Sequence, residues 1–279
     1  GNDFIMRLGA PVDDSSTPEK WITSLQKNGY RAAYYPLKPD ADADSHRAYV
    51  DAAAKADIVI AEVGAWSNPI SPDDTIRNEA IKKCQEHLAL ADEVGARCCV
   101  NIAGSRGNEW ASPHKDNLSA DTFDLIVETT RLIIDAVQPK RTYFALEAMP
   151  WIFPDSPQNY LELIQAIDRE QCAVHLDPVN MINSPRRYFN NAAFLDECFS
   201  MLRPYIKSIH AKDTLIHDDL TIHIEEVRPG LGTLDYETFI RHANQLDDVP
   251  FMLEHLPMDE YPLAAQYVRD VASSLDIVL

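Results

Sequence analysis

Apolar, β-rich runs alternate with helical patterns along all 279 residues, and this alternation narrows the fold more than any other feature. Strand-like runs are read at Phe4–Ala10, Arg31–Pro36, Asp57–Ala65, Arg97–Ala103, Tyr143–Pro150, Ala173–Pro178, Ile206–Asp213 and Phe251–Pro257. Between them lie helical patterns with their own start signals. Thr17-Pro18 opens the first, which runs to about Asn28-Gly29. Ser71-Pro72-Asp73-Asp74 caps a long one that ends at Gly95, with Ile81, Cys84, Leu88 and Ala91 at helical spacing. Further helices are expected at Ser45–Lys55, Ser119–Val137, Ser156–Asp168, Ala192–Leu202, Tyr236–Leu246 and Tyr261–Leu275, with long loops at Gly104–Leu118 and Thr214–Thr233.

Strands this apolar are covered on both faces, which implies a parallel sheet. Eight βα units without a Gly/Ser linker, a composition break or a sequence repeat fit a closed (β/α)8 TIM barrel, an α/β fold of about 250 residues that forms one domain. The expected domain is the whole chain, 1–279.

Four of the eight strands share a second property. Each ends on a metal-competent side chain: Glu147, Asp177, His210 and Glu254. Reactive groups of such barrels sit at the C-terminal ends of the strands, so these four would converge at one mouth. Three carboxylates within ~5 Å of one another repel by roughly 3 kcal/mol per pair at an effective dielectric of ~20, which demands protons or a cation. Carboxylate oxygens with one imidazole suit a single divalent ion, Mn2+ or Mg2+ ahead of Co2+ or Zn2+. Four protein ligands leave positions open on an octahedral ion for two adjacent substrate oxygens.

With Leu146-Glu147, His175-Leu176-Asp177, His210-Ala211-Lys212-Asp213, the Arg228-Pro229-Gly230-Leu231-Gly232 turn followed by Leu234-Asp235-Tyr236, and Leu253-Glu254, the chain resembles the xylose-isomerase-like TIM-barrel superfamily over nearly its whole length. That superfamily comprises sugar isomerases, epimerases and relatives that share a barrel with endonuclease IV. The resemblance implies that Glu147, Asp177, His210 and Glu254 bind one divalent ion, with Glu147 and Glu254 also acting as acid and base about the substrate. It implies an enediolate held by the ion after removal of a C–H proton. Arg228 matches the arginine that family members aim at substrate oxygens. Where the family commonly carries His, three residues after the strand-six aspartate, this chain has Asn180, which hydrogen-bonds but moves no protons. That departure weakens the match to ketohexose 3-epimerases and to a trinuclear nuclease site.

Other residues are placed by register. Lys212, two beyond His210, faces the same side and is a candidate substrate contact. His175, two before Asp177, either contacts substrate or bonds a carboxylate from the core. Trp66, Asn68, Trp110 and Trp151 lie in loops at the catalytic end, as aromatic walls for a sugar or as loop packing. Arg7 is read as reaching the mouth or packing at the core edge. His255 is expected beneath a helix on the face opposite Glu254, His217 and His223 in solvent, and Arg186-Arg187-Tyr188 in an exposed basic patch or, alternatively, as a site for a phosphate or a neighbouring subunit.

The charge balance excludes one class of partner. With 25 basic and 44 acidic residues, net −19, the chain lacks the clustered cations that bind nucleic acid. No basic segment followed by an apolar run opens the sequence, and no apolar run nears the ~18 residues of a span, so no membrane association is expected. Five cysteines without metal spacing read as reduced thiols and a cytoplasmic setting. The expected activity is a metal-dependent isomerase or epimerase of a small keto sugar, polyol or cyclitol. The alternatives are a metal-dependent lyase that starts with the same proton abstraction, either an inosose-type dehydratase or a β-eliminating enzyme on oxo-glycosides, and a non-catalytic carbohydrate-binding barrel. A homo-oligomer is compatible with all three.

Overall fold

The computed structural model describes residues 6–279. The barrel strands are β1 (Arg7–Gly9), β2 (Ala32–Tyr34), β3 (Val59–Gly64), β4 (Cys98–Ile102), β5 (Phe144–Glu147), β6 (Cys172–Leu176) and β7 (Ile206–His210). A two-stranded ribbon, β8 (Asp213–His217) and β9 (His223–Val227), then precedes the last barrel strand, β10 (Pro250–Met252). The barrel closes in the order β1-β10-β7-β6-β5-β4-β3-β2, every pairing parallel. The expected (β/α)8 architecture is therefore present as a single domain. Phe4 and Ile5 of the first expected strand lie outside the described residues.

The helices are α1 (Pro18–Lys27), α2 (Ala43–Lys55), α3 (Asp74–Val94), α4 (Ala120–Val137), α5 (Pro157–Ile167), α6 (Pro178–Met181), α7 (Pro185–Phe189), α8 (Asn191–Leu202), α9 (Tyr236–Ala243) and α10 (Tyr261–Ser274). Their starts follow local chemistry. Thr17, Asp73, Ser119 and Ser156 each accept a hydrogen bond from the backbone N–H three residues on, satisfying a donor the helix leaves free. Gly95 ends α3 in the left-handed region at φ 71°, where a side chain would be strained. The main core lies between strands and helices, while two small clusters, Ala32–Ala61–Met252 and Cys98–Val100–Ala145, occupy barrel strands apart from it. Small residues there suit the barrel's crowded inner layer. All five cysteines are free and buried, and among the described residues no helix is long and apolar enough to cross a membrane.

Two expectations change. The seventh strand was read as continuing to Asp213, and Thr214–Thr233 as loop. The barrel strand instead stops at His210, and Asp213 begins an antiparallel ribbon running Asp213↔Val227 to His217↔His223. Beyond buried Asp213 and Thr214 its residues are half-buried or exposed and form no apolar face, so hydropathy does not announce it. Asp213 pins the following turn, accepting from Thr214 and Leu234 N–H at Oδ1 and from Gly230 and Gly232 N–H at Oδ2. A Cβ on Gly232 would lie 2.2 Å from the Thr214 carbonyl oxygen, so only glycine fits that approach. The short helices α6 and α7 were not anticipated. Asp177 caps α6 and Ser184 caps α7.

Arg7 does not approach the catalytic mouth. It starts β1 at the opposite end of the barrel, paired with Asp57 at 3.0 Å and with Asp248, and it donates to the Asp57 and Arg31 carbonyls. Arg7→Met would strand these acceptors, and a loss of about 1–3 kcal/mol is expected. A lowered urea midpoint at unchanged slope would register it, whereas an unchanged midpoint would show the cluster to be energetically idle.

Candidate metal centre and cavity

Parallel register carries the four strand-end side chains to one level. Glu147, the last residue of β5, pairs with Ile102 on one side and His175 on the other, while His210 at the end of β7 pairs with Met252. Asp177 follows β6, and Glu254 comes two residues after β10. Each offers a ligand atom, and these atoms all lie within 4.8 Å of one another. His210 Nδ1 is 2.9 Å from Glu254 Oε1, 3.5 Å from Glu147 Oε1 and 3.6 Å from Asp177 Oδ2.

The electrostatics follow from burial. Glu147 is pushed up to about 7, first by desolvation and then by Glu254 and Asp177, against the opposing pull of His210. Burial would also raise Asp177, but Lys212, with Nζ 2.9 Å away, and His210 together override it and hold the carboxyl well below its usual range. Burial opposes a proton on His210, yet Glu254, Glu62 and Glu147 together raise it well above an ordinary histidine. Protons on His210 and Glu147 thus supply the countercharge that the acids require.

The residues present fit a cation. Among the described residues, Asp177 Oδ2, His210 Nδ1 and Glu254 Oε1 are buried and find no hydrogen bond of acceptable geometry. Lys212 Nζ and His210 come within ion-pair distance of these oxygens but at angles that make no such bond. Three convergent orphaned ligand atoms of the right chemistry are what a divalent ion would satisfy.

Beneath this quartet lies a residue the sequence reading passed over. Glu62, on β3 and fully buried, accepts from His175 Nε2 at 2.8 Å and from His210 Nε2 at 3.1 and 3.2 Å to its two oxygens. Burial opposes its charge, but His210 and His175 hold it far below the usual carboxylate range. The available signal was one acid inside the apolar run Ile58–Gly64, since a parallel strand cannot bury an unpaired charge. The bond to Glu62 also puts His175 below the site, as a carboxylate partner and not as a substrate contact.

Above the quartet opens a cavity of about 600 Å³, lined by Glu147, Glu254, Asn180, Trp66 and Trp110 together with unanticipated Tyr34, Met149 and Tyr261. Asn180 Nδ2 donates to Glu147 Oε1 at 3.2 Å and to the Ala148 carbonyl, while its Oδ1 accepts from Lys212 Nζ at 2.6 Å. Lys212 also meets Glu226 of β9 at 2.7 Å, which ties the ribbon to the site.

Several expected contacts are not brought into this lining. Asn68 is buried and clamps two loops, bonding Ser105 N–H, Ser105 carbonyl and Ile70 N–H. Trp151 stands outside, its Nε1 donating to the Ala111 carbonyl and so bracing the loop that carries Trp110. Arg228 is spent on Glu260 at 2.9 Å. Conversely, His255 is not packed under a helix. A positive φ of 60° turns it outward to line the cavity, with Nδ1 3.2 Å from Glu226. His217 pairs with Glu225 in the exposed ribbon, and His223 meets the Leu220 carbonyl there. Arg187 is no plain surface charge, because it donates to the Asp155 and Met181 carbonyls beside buried Tyr188.

A family model described as xylose isomerase-like TIM barrel matches residues 23–274. The chain belongs to the xylose isomerase-like TIM barrel family. No curated protein matches it. Solved structures similar to this xylose isomerase-like barrel include a probable 3-DHS dehydratase involved in petrobactin synthesis from Bacillus anthracis (16% identity, TM-score 0.72, 96% of this chain and 99% of that one). Another is a D-psicose 3-epimerase from Clostridium cellulolyticum (14%, 0.68, 95% and 99%). A third is a xylose isomerase-like TIM barrel protein from Mycobacterium smegmatis in complex with magnesium (15%, 0.68, 96% and 96%). At these identities the likeness establishes the fold, and function has to be argued from the site.

Proposed function

We propose that this xylose isomerase-like barrel is a divalent-metal-dependent enzyme that abstracts a proton next to the carbonyl of a keto sugar or related polyol, giving isomerisation or epimerisation. The observation that carries this reading is the quartet of three acids and one imidazole converging, with orphaned ligand atoms, on the floor of a cavity. Glu147, Asp177, His210 and Glu254 would hold the ion, Mn2+ ahead of Mg2+, Co2+ or Zn2+ on oxygen-rich donors. When bound, it supplies Lewis acidity that draws electron density from the substrate carbonyl and lowers the cost of removing the adjacent proton. Glu147 and Glu254 both line the cavity, and in this reading one takes the proton and the other returns it. Asn180 orients Glu147, and Lys212 places a fixed positive charge against Asp177 and Glu254. The five buried free thiols suit a reducing compartment, and the cytoplasm is the proposed location.

A lyase is the second reading, favoured by Asn180. Its amide is held between Lys212 and Glu147 and transfers no proton, so the strand-six side contributes no second base. Elimination needs one base and a leaving group. Incubating the Mn2+-loaded protein with a panel of ketoses, keto-cyclitols and keto-glycosides separates the two, since elimination creates an enone absorbing in the ultraviolet and epimerisation conserves mass. Turnover of the panel without added divalent ion, after chelation, would end the metal-dependent reading.

Metal uptake should be proton-linked. Glu147, held up near 7, and His210, held above its ordinary value, must both surrender protons to become ligands. Mn2+ affinity is therefore expected to fall as pH drops through 7. Calorimetry in buffers of different ionisation enthalpy should find about one more proton released at pH 6 than at pH 8. Release that does not change with pH would contradict the assignment of Glu147 as a ligand.

A further inference from the structure

The cavity is lined mostly by apolar surface, with its carboxylates and amide on the floor. Glu147, Asn180 and Glu254 face up from below, and His255 sits at the side. Most of what the walls present is ring and aliphatic carbon. Tyr34 lines the cavity, but its hydroxyl already donates to the Leu253 carbonyl at 2.8 Å, and that of Tyr261 accepts from Leu256 N–H at 3.2 Å. Each ring thus carries one polar atom that is already hydrogen-bonded, with the Tyr261 hydroxyl keeping its own proton to donate. Met149 and Ile102 are apolar outright. Trp66 and Trp110 remain 36% and 47% exposed, and among the described residues no aromatic ring stacks on either indole.

The cations are committed elsewhere. Lys212 is buried against Asp177, Glu226 and Asn180; Arg228 is taken by Glu260; and Arg106 donates to the Ile70 carbonyl. Among the described residues, His255 is the one lining group able to carry positive charge, and it stands between Glu226 and Glu254. A phosphate entering here would meet two carboxylates on the floor and no guanidinium or ammonium to pair with. A bare ketose, with a hydroxyl on nearly every carbon, would bury several of them unpaired against aromatic walls. A volume of about 600 Å³ also lies mid-range among pockets that enclose ligands larger than a single small sugar, about 300–1,000 Å³.

We propose that the substrate is an uncharged, glycoside-like molecule whose sugar ring sits on the polar floor and whose apolar, planar substituent lies against Trp66 and Trp110. This rests on the reading of the site as a metal-dependent sugar enzyme and narrows it: the sugar is unphosphorylated and carries a second, hydrophobic group. Stacking of one planar group on two tryptophans suffices for about a tenfold preference.

Titration calorimetry on the Mn2+-loaded full chain, with phenyl and methyl D-glucopyranosides of both anomers and glucose 6-phosphate, tests this. One phenyl glucoside is expected to bind about tenfold or more tightly than its methyl counterpart, with glucose 6-phosphate no tighter than the methyl compound. Trp110→Ala should cut the phenyl advantage to about threefold without changing Mn2+ affinity, and Trp66→Ala provides the same test on the loop after β3. The proposal is overturned if glucose 6-phosphate binds tightest, if phenyl gives no gain, or if neither glucoside binds. A protein that takes up no Mn2+ yet keeps the phenyl preference would retain the substrate class and refute the metal reading instead.

Discussion

Glu254→Gln is expected to lower kcat by roughly 10²–10⁴-fold at saturating Mn2+, on whichever panel sugar the native chain turns over. The glutamate lines the cavity, and its Oε1 lies 2.9 Å from His210 Nδ1 and 3.6 Å from Lys212 Nζ. Gln keeps the shape but cannot accept a proton from carbon at neutral pH. The fold should persist, because the change loses attraction to His210 and Lys212 while relieving repulsion from Asp177. Amide is also the poorer ligand, so metal saturation has to be verified for the variant before rates are compared. Retention of kcat within tenfold of the native value would remove Glu254 from acid–base work.

A second large effect is expected one layer below. Glu62→Gln should weaken Mn2+ binding about 10–100-fold, the usual consequence of disturbing the partner of a metal-ligating histidine. A carboxylate only accepts hydrogen bonds, so contact with Glu62 fixes a proton on Nε2 of both His175 and His210. For His210, that leaves Nδ1 to serve Glu147, Asp177 and Glu254 or the ion among them. The amide of Gln offers one acceptor and one donor in place of two acceptors, so His210 gains the freedom to adopt the wrong tautomer. Mn2+ titration followed by electron paramagnetic resonance would read the affinity, and imidazole 15N shifts would read the tautomer. Should Glu62→Gln fail to fold, His175→Gln probes the same network while leaving the Glu62–His210 bond in place. Native affinity together with an unchanged His210 tautomer would leave Glu62 a packing residue.

How legible the site was depended on where each residue's partner lies. Glu147, Asp177, His210 and Glu254 could be found because a charged or imidazole group closing an apolar strand is a local pattern, and a parallel barrel sends all strand ends to one mouth. Lys212 followed from the period of two along a strand, although the barrel strand itself stops at His210. Arg228 and Asn68 were misplaced for a shared reason. Each sits in sequence beside catalytic-end elements, but its partner, Glu260 or the Ser105 backbone, belongs to another loop. His255 was misread because alternation along the chain assumes extended backbone, and its positive φ breaks the alternation one residue after Glu254.

The order of the eight barrel strands and the main helices between them, the closed parallel barrel and the level at which four metal-competent side chains emerge were legible in the sequence alone. Apolar periodicity and capping act over a few residues, and barrel closure then follows from covering both faces of every strand. Tertiary structure alone decided that Glu62 clasps two histidines, that Glu226 reaches Lys212 from an exposed ribbon, and that the surrounding cations are already paired. Those outcomes hang on interstrand register and on side-chain reach across tens to more than a hundred residues of chain, for which no local pattern exists. Burial makes them matter, because at that depth a charge must find a partner or lose its ionisation.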